Sequence, residues 1–132
     1  MKIRQRWTRR IGILIAGLCL ALIGTSATWA ARPGVIMGHV TEGPVTPVCQ
    51  PNIPCTKPFS HATIQVLDSA TRNPVGTAVT NRFGNFRAAV PRGRYLVHVH
   101  VVGLFPRCPE VAAVVRPRHV TRVKVACDTG IR

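Results

Sequence analysis

Apolar and polar residues alternate through most of the chain after residue 34, with the two-residue period of strands that bury one face. No stretch of this region carries the apolar spacing of an amphipathic helix. An uneven first strand is predicted at Val35–Thr41. The alternation then predicts four strands with these inward-facing sets: Ala62, Ile64 and Val66; Val75, Thr77 and Val79; Phe86, Ala88 and Val90; and Tyr95, Val97, Val99 and Val101.

Turn-forming residues separate these stretches. Asp68–Pro74 is polar and contains Asn-Pro, and Pro91–Gly93 is a second turn sequence. Within Asn81–Asn85, Gly84 is free to take a positive φ. With two further strands near the C-terminus, the chain has seven short strands at the roughly 8–12-residue spacing typical of an immunoglobulin-like sandwich. The sequence therefore predicts an all-β, seven-stranded sandwich.

The last two predicted strands cover residues 110–115 and 120–126. Arg116–His119 would join them as a turn, since proline is favoured at the second position of a type I turn. The antiparallel register of such a hairpin places Ala112 opposite Val123 and Cys108 opposite Cys127.

The N-terminus has the order of a secretory signal peptide. Five cations and no acid occur in residues 1–10, the run Ile11–Ile23 is apolar or glycine, and small residues follow up to Ala30. A run of 13 residues is short for a membrane anchor, which needs about 20. We expect a signal helix at 1–30, cleavage near Ala30 with Ala27 as the competing site, and one domain at 31–132 that is secreted or periplasmic.

Four cysteines remain after that segment, an even set that predicts disulfides in an exported chain. Cys49 and Cys55 close a proline-rich stretch, which favours a local bridge. The predicted hairpin opposes Cys108 and Cys127, and opposed residues have Cβ atoms about 4.5–5.5 Å apart, close to disulfide reach. A zinc site is the alternative, but the chain has no C-x-x-C spacing.

Gly43–Cys49, the following Pro-Cys and Ala62–Val66 resemble the opening of bacterial carboxypeptidase regulatory-like domains. Thr80–Phe86 is similar to their Thr-Asp-x-x-Gly-x-Phe turn, with Asn81 in place of the usual Asp. Val90–Tyr95 is similar to their Pro-x-Gly-x-Tyr corner.

The ending Cys-Asp-Thr-Gly-Ile-Arg is similar to the tail of small exported members of this family. The resemblance covers residues 34–132 and implies a transthyretin-like (prealbumin-like) sandwich. It also implies an accessory module without catalytic residues of its own, and it supplies no ligand.

Few residues suit catalysis. Beyond the N-terminal segment the only serines are Ser60 and Ser69, neither in a Gly-x-Ser-x-Gly setting, and the four acids are widely spaced. A transthyretin-like hydrolase would need a His/Arg cluster and a different C-terminal tetrapeptide. We therefore predict no enzyme activity and no cofactor, with a small hydrolase as the least favoured alternative.

A histidine pair is the candidate for metal binding. His98 and His100 lie two residues apart on one predicted strand, so they share a face. With His39 or His119 they would offer three imidazoles to a metal ion. The competing interpretation places both on the solvent face with no ligand, because Tyr95 and its alternating partners take the core.

Positive charge is the remaining functional signal. Residues 31–132 hold 13 Lys and Arg against four Asp and Glu, a net charge of +9. Such a surface attracts polyanions, although the charge would also serve solubility. The candidate anion-binding residues are Arg82, Arg87, Arg92 and Arg94 near two turns, and Arg116, Arg118, Arg122 and Lys124 in the last hairpin.

These features predict an exported, non-catalytic accessory module at the cell envelope, with a binding or structural role. The expected partners are anionic envelope polymers or another protein. Nucleic acid is not expected, since the chain has no aromatic platform for stacked bases. Membrane contact is expected only through an uncleaved N-terminal segment. The alternative function is periplasmic metal binding through His98 and His100.

Overall fold

The computed structural model describes residues 32–132, which form eight β-strands in two sheets packed as a β-sandwich. The predicted signal helix and cleavage site lie outside the described residues. Within this described part, no helix is long and apolar enough to cross a membrane. The strands are β1 (Gly34–Gly43), β2 (Lys57–Pro58), β3 (Thr63–Asp68), β4 (Pro74–Val79), β5 (Asn85–Val90), β6 (Gly93–His100), β7 (Val111–Val115) and β8 (Val120–Asp128).

The first sheet is built around β1. Its neighbour β8 runs parallel to it over nine residue pairs, from Val35 opposite Val120 to Gly43 opposite Asp128. On its other side, β5 pairs antiparallel with the first half of β1, and the short β2 pairs with Thr41 and Glu42. The second sheet is antiparallel throughout, in the order β4-β3-β6-β7.

The core lies between the sheets and follows the alternation of the sequence. Ile36 and Val40 of β1 are fully buried against Ile64, Val66 and Val97 of the second sheet. The predicted inward sets of β3, β5 and β6 are confirmed, with Val101 partly buried at the edge of the core. Each such aliphatic side chain contributes about 1.5–3 kcal/mol by leaving water.

The predicted inward set of β4 is wrong. Val75 and Val79 are 44% and 60% exposed, and the alternate residues Gly76 and Ala78 face inward instead. At this edge the two sheets approach each other closely, and a Cβ on Gly76 would lie 3.3 Å from Cγ1 of Val90 on β5. Only small side chains fit there, so the valines point to solvent.

The predicted hairpin is also wrong as a paired ladder. β7 pairs with β6 in the second sheet, whereas β8 pairs with β1 in the first. The two strands share the expected register only near their ends, where Arg107 and Asp128 form an isolated bridge and the Thr121 hydroxyl donates to the Val114 carbonyl. The turn itself is present, with the His119 N–H donating to the Arg116 carbonyl.

Both predicted disulfides are confirmed, Cys49–Cys55 and Cys108–Cys127. The second one joins the chain before β7 to β8 at the point where the isolated bridge holds them together. The strand count is eight instead of the predicted seven, because the proline-rich segment returns as β2 to pair with the end of β1.

Two buried polar contacts fix the corners of the sandwich. The hydroxyl of the fully buried Thr80 donates to the Phe59 carbonyl at 2.6 Å and accepts from the Ala62 N–H at 2.8 Å. The Tyr95 hydroxyl donates to the Pro91 carbonyl at 2.6 Å, which fixes the turn before β6.

Asn81 performs the turn role expected of an Asp at its position. Its Oδ1 accepts from the N–H groups of Phe83 and Asn85 at 2.9 and 3.0 Å. Gly84 closes the same turn at a φ of +76°, as predicted.

Candidate anion-binding site

All four acidic side chains of the chain are already engaged. Glu42 pairs with Lys57 at 3.2 Å. The Asp68 carboxylate accepts from the N–H groups of Thr71 and Ala70, hydrogen bonds that lower its pKa. Neither of these two acids forms an ion pair with a described arginine.

Glu110 and Asp128, the other two acids, each form a bidentate ion pair with an arginine. Both guanidinium nitrogens of Arg72 donate to Glu110, which lowers the pKa of that carboxyl. Arg132 donates to both oxygens of Asp128, and these bonds, together with one from the Gly130 N–H, lower its pKa to about 2. The ten cations that remain among residues 32–132 form no ion pair with a described residue.

Three of these cations lie on the outer face of the first sheet. Met37 of β1 stands opposite Arg87 of β5 on one side and opposite Arg122 of β8 on the other. Because neighbouring strands are about 4.8 Å apart, the two arginines flank Met37 within one row of the sheet. In the next outward row, His39 stands between Asn85 and Lys124.

Between these two rows is a groove of about 260 Å³, here called the sheet groove. Its floor is the intermediate row, in which Gly38 pairs with Phe86 and Val123. Its walls are the outward residues Met37, His39, Asn85, Arg122 and Lys124.

Glycine at position 38 is required by the packing beneath the groove. A Cβ on Gly38 would overlap with the ring of Phe86, which fills the space on the core side. The side wall is ordered as well, since His39 Nδ1 and Asn85 Oδ1 are hydrogen-bonded at 2.8 Å. The groove is thus a preformed surface with two cations and no carboxylate among its lining residues.

The other predicted cations are distributed over the two ends of the sandwich. Arg82 lies in the turn before β5, with its guanidinium 4.7 Å from the ring centroid of Phe83. At the opposite end of β5, Arg92, Arg94 and Arg116 line a second groove of about 340 Å³. Arg118 lies in the adjacent turn with a φ of +59°.

The predicted metal ligands are not brought together. His98 and His100 lie in the second sheet, His39 in the first sheet, and His119 in the turn before β8, where its Nδ1 contacts the Pro117 carbonyl oxygen at 2.8 Å. No three metal-ligating side chains cluster anywhere among residues 32–132. His98 lies instead beside Glu110, with Nδ1 3.3 Å from the carboxylate.

The end of the sandwich away from Arg92, where Arg82 also lies, exposes several large apolar side chains. The loop closed by Cys49–Cys55 exposes Val48 and Ile53, and its depression of about 430 Å³ is lined mostly by apolar side chains. In the loop after β6, Val102 and Leu104 are 89% and 78% exposed. These side chains make this end, here called the apolar end, more apolar at its surface than the end that carries Arg92.

Sequence reasoning identified Arg122 and Lys124 but missed Met37 and Asn85 as parts of the same site. Their proximity to Arg122 and Lys124 depends on the pairing of β1 with β8 and with β5, strands that are far apart in the chain. The only signal in the local sequence was the alternation itself, which places polar residues on the solvent-facing side of a strand.

Comparisons with known proteins are consistent with this fold. No protein-family model matches the chain, and no curated protein is similar to it in sequence. It is similar to the structure of GBS52, the minor pilin of the Gram-positive pathogen Streptococcus agalactiae, with 11% identity, a TM-score of 0.57, and coverage of 74% of this chain and 45% of that one. It is also similar to a DUF3823 family protein from Parabacteroides merdae, with 15% identity, a TM-score of 0.48, and coverage of 75% and 47%.

The chain thus spans less than half the length of either structure. At 11% identity, the likeness to the pilin shows a shared β-sandwich fold. The two disulfides are, independently, typical of proteins that fold in an oxidising compartment.

Proposed function

We propose that this protein is an exported, non-catalytic β-sandwich module of the carboxypeptidase regulatory-like type that binds anionic polymers of the cell envelope in the sheet groove. The observation that carries the proposal is the pair Arg122 and Lys124 on the groove wall, with every acid of the chain engaged elsewhere. An anionic group entering the groove meets no carboxylate among its lining residues.

The geometry of the first sheet favours an extended ligand. Arg87 and Arg122 lie on either side of Met37, and Lys124 continues the row along β8. Two residues along a strand are about 6.6 Å apart and two strands about 9.6 Å, so several negative groups on one chain would find separate partners. The guanidinium groups suit phosphate and sulfate, to which they donate in pairs.

The exported, envelope-located part of the proposal rests on the signal-type N-terminus and the two disulfides. The family assignment rests on the Thr80–Phe86 and Val90–Tyr95 motifs, both of which form turns that join strands of the sandwich. The lack of a catalytic role is supported by the shortage of serine and by the carboxylates, of which three are in ion pairs and Asp68 accepts backbone hydrogen bonds.

The test is binding of labelled dextran sulfate, a linear sulfated glucan, with uncharged dextran as the ligand control. The variant Arg87→Gln/Arg122→Gln/Lys124→Gln removes the three cations of the groove face. We expect it to bind dextran sulfate at least about tenfold more weakly than the wild type, since a hydrogen bond to a charged group contributes about 1.5–3 kcal/mol. Binding should also weaken with salt, because the screening length falls from about 10 Å at 0.1 M to about 3 Å at 1 M.

The matched control is Arg92→Gln/Arg94→Gln/Arg116→Gln, which removes the same charge at one end of the sandwich. We expect this variant to bind dextran sulfate nearly as the wild type does. Equal losses in both variants would mean that net charge alone attracts the polymer, and unchanged binding in the groove variant would place the polymer elsewhere. Either result would overturn the proposal.

A further inference from the structure

Five arginines gather at the end of the sandwich where β1 begins. The first residue of β1, Gly34, pairs with Val90 at the end of β5, and Val35 pairs with Val120 at the start of β8. At the same end, Gly93 at the start of β6 pairs with Val115 at the end of β7. The segments that meet here carry Arg32, Arg92, Arg94, Arg116 and Arg118, and this surface is here called the arginine end.

A groove at the arginine end mixes charge with apolar surface. Arg92, Arg94 and Arg116 line it together with Pro117 and with Val114, which is 54% exposed. None of these arginines forms an ion pair with a described residue. The nearest acid in the register is Asp68, opposite Tyr95, and its carboxylate accepts hydrogen bonds from the backbone of its own turn.

We propose that the arginine end docks the domain on a bilayer containing anionic phospholipids. Guanidinium groups donate in pairs to phosphate, and the apolar Val114 and Pro117 suit the glycerol level just below the headgroups. Several cations spread over one end of the domain can contact a flat bilayer together. The sheet groove is a separate site, because it lies on the outer face of the first sheet. This inference is independent of polymer binding in that groove.

The path of the chain supports this orientation. Residue 32 enters the domain at the arginine end, and eight residues, 24–31, separate it from the apolar run Ile11–Ile23. The nine residue steps from Ile23 to residue 32 span at most about 32 Å, so a chain that keeps that run in a bilayer holds this end near the headgroups. A processed chain would reach the same surface through its arginines alone.

The competing surface is the apolar end, where Val102 and Leu104 stand exposed with Arg107 nearby. Those loops lie at the other end of β6 from Arg94, so the two modes of membrane contact would orient the domain in opposite ways. Variants can therefore separate the two modes.

The experiment measures sedimentation with vesicles of phosphatidylglycerol mixed with phosphatidylcholine, and with vesicles of phosphatidylcholine alone. The protein is purified from the envelope of the producing cells, and wild type and variants share the same N-terminus. We expect the wild type to prefer the anionic vesicles. Replacing Arg92, Arg94 and Arg116 by Gln should weaken binding to them about 100-fold, from about fivefold for each cation near the surface.

Three further variants make the outcome decisive. Replacing the same three arginines by Lys should retain most of the binding, since the charge is kept and only the paired donation to phosphate is lost. The variant Arg87→Gln/Arg122→Gln/Lys124→Gln and the variant Val102→Ser/Leu104→Ser should both stay close to the wild type. A loss in the groove variant as large as that in the Arg92/Arg94/Arg116 variant, or a loss mainly in the Val102/Leu104 variant, would overturn the proposal. Melting temperatures of all variants confirm that each is folded.

Discussion

The ring of Phe86 fills the space directly beneath Gly38, so the floor of the sheet groove and the core of the sandwich depend on the same contact. This contact joins β5 to β1 at the centre of the first sheet. Any side chain at residue 38 must push either the ring or the strand aside.

Gly38→Ala is therefore expected to lower the free energy of unfolding by about 1–3 kcal/mol, the range for overpacked cores. Urea denaturation checks this value. Gly76→Ala is the matched control, because its Cβ would meet Val90 Cγ1 at 3.3 Å and needs only a small adjustment. A Gly38→Ala protein that unfolds at the wild-type urea concentration would contradict this packing.

Thr80 offers a second test of the core, through its hydroxyl. Thr80→Val keeps the shape of the side chain but leaves the Phe59 carbonyl and the Ala62 N–H without their partner. We expect a loss of about 1–3 kcal/mol in the free energy of unfolding. Thr77→Val on the exposed face of β4 is the control and should change stability by less than about 0.5 kcal/mol. Equal effects at both positions would show that the buried hydroxyl contributes nothing specific.

The two disulfides should differ in their contribution to stability. Their cysteines are 19 and 6 residues apart in sequence, and the longer loop restricts the unfolded chain more. We expect Cys108→Ala/Cys127→Ala to cost about 3 kcal/mol and Cys49→Ala/Cys55→Ala about 2 kcal/mol. Cys127 is also buried in the core, which adds to the first value. Urea denaturation of the two double variants measures which pair of substitutions lowers the free energy of unfolding more. A larger loss in Cys49→Ala/Cys55→Ala would contradict this prediction.

Acid should destabilise the fold through Asp128. Its pKa is lowered from 3.8 to about 2 in the folded protein, mainly by the hydrogen bonds from Arg132. A carboxyl with a lowered folded pKa stabilises the fold above its unfolded pKa and loses that contribution as the pH falls through the folded value. The melting temperature of the wild type should therefore fall between pH 3.8 and about 2, and Asp128→Asn should show a shallower fall in that window. Identical pH profiles for the two proteins would rule out this linkage.

Much of the fold could be predicted because alternation reports burial directly. β3, β5 and β6 pack against the opposite sheet with large side chains, so their inward sets were visible in the sequence. In β4 the inward positions are Gly76 and Ala78, and the reason lies in Val90 on another strand. Local pattern alone assigns the valines inward and fails there.

The site was predictable only in part. Arg122 and Lys124 stand out by charge, but the sequence placed His39 among metal candidates and did not indicate Met37 or Asn85. These residues meet because β1 pairs with β5 on one side and with β8 on the other. The pairing of β1 with β8 takes the place of the hairpin that the sequence predicts for the last two strands. β7 and β8 are adjacent in sequence but belong to different sheets, and the Cys108–Cys127 disulfide joins the chain before β7 to β8.

The most direct test of the central claim is an NMR titration of the isotope-labelled protein with a short dextran sulfate. We predict saturable shifts in backbone amides around the sheet groove, including Gly38 of β1, Phe86 of β5 and Val123 of β8. Shifts that remain confined to the arginine end or to the apolar loops, or that spread evenly over the surface, would contradict the assignment of the sheet groove as the polyanion site.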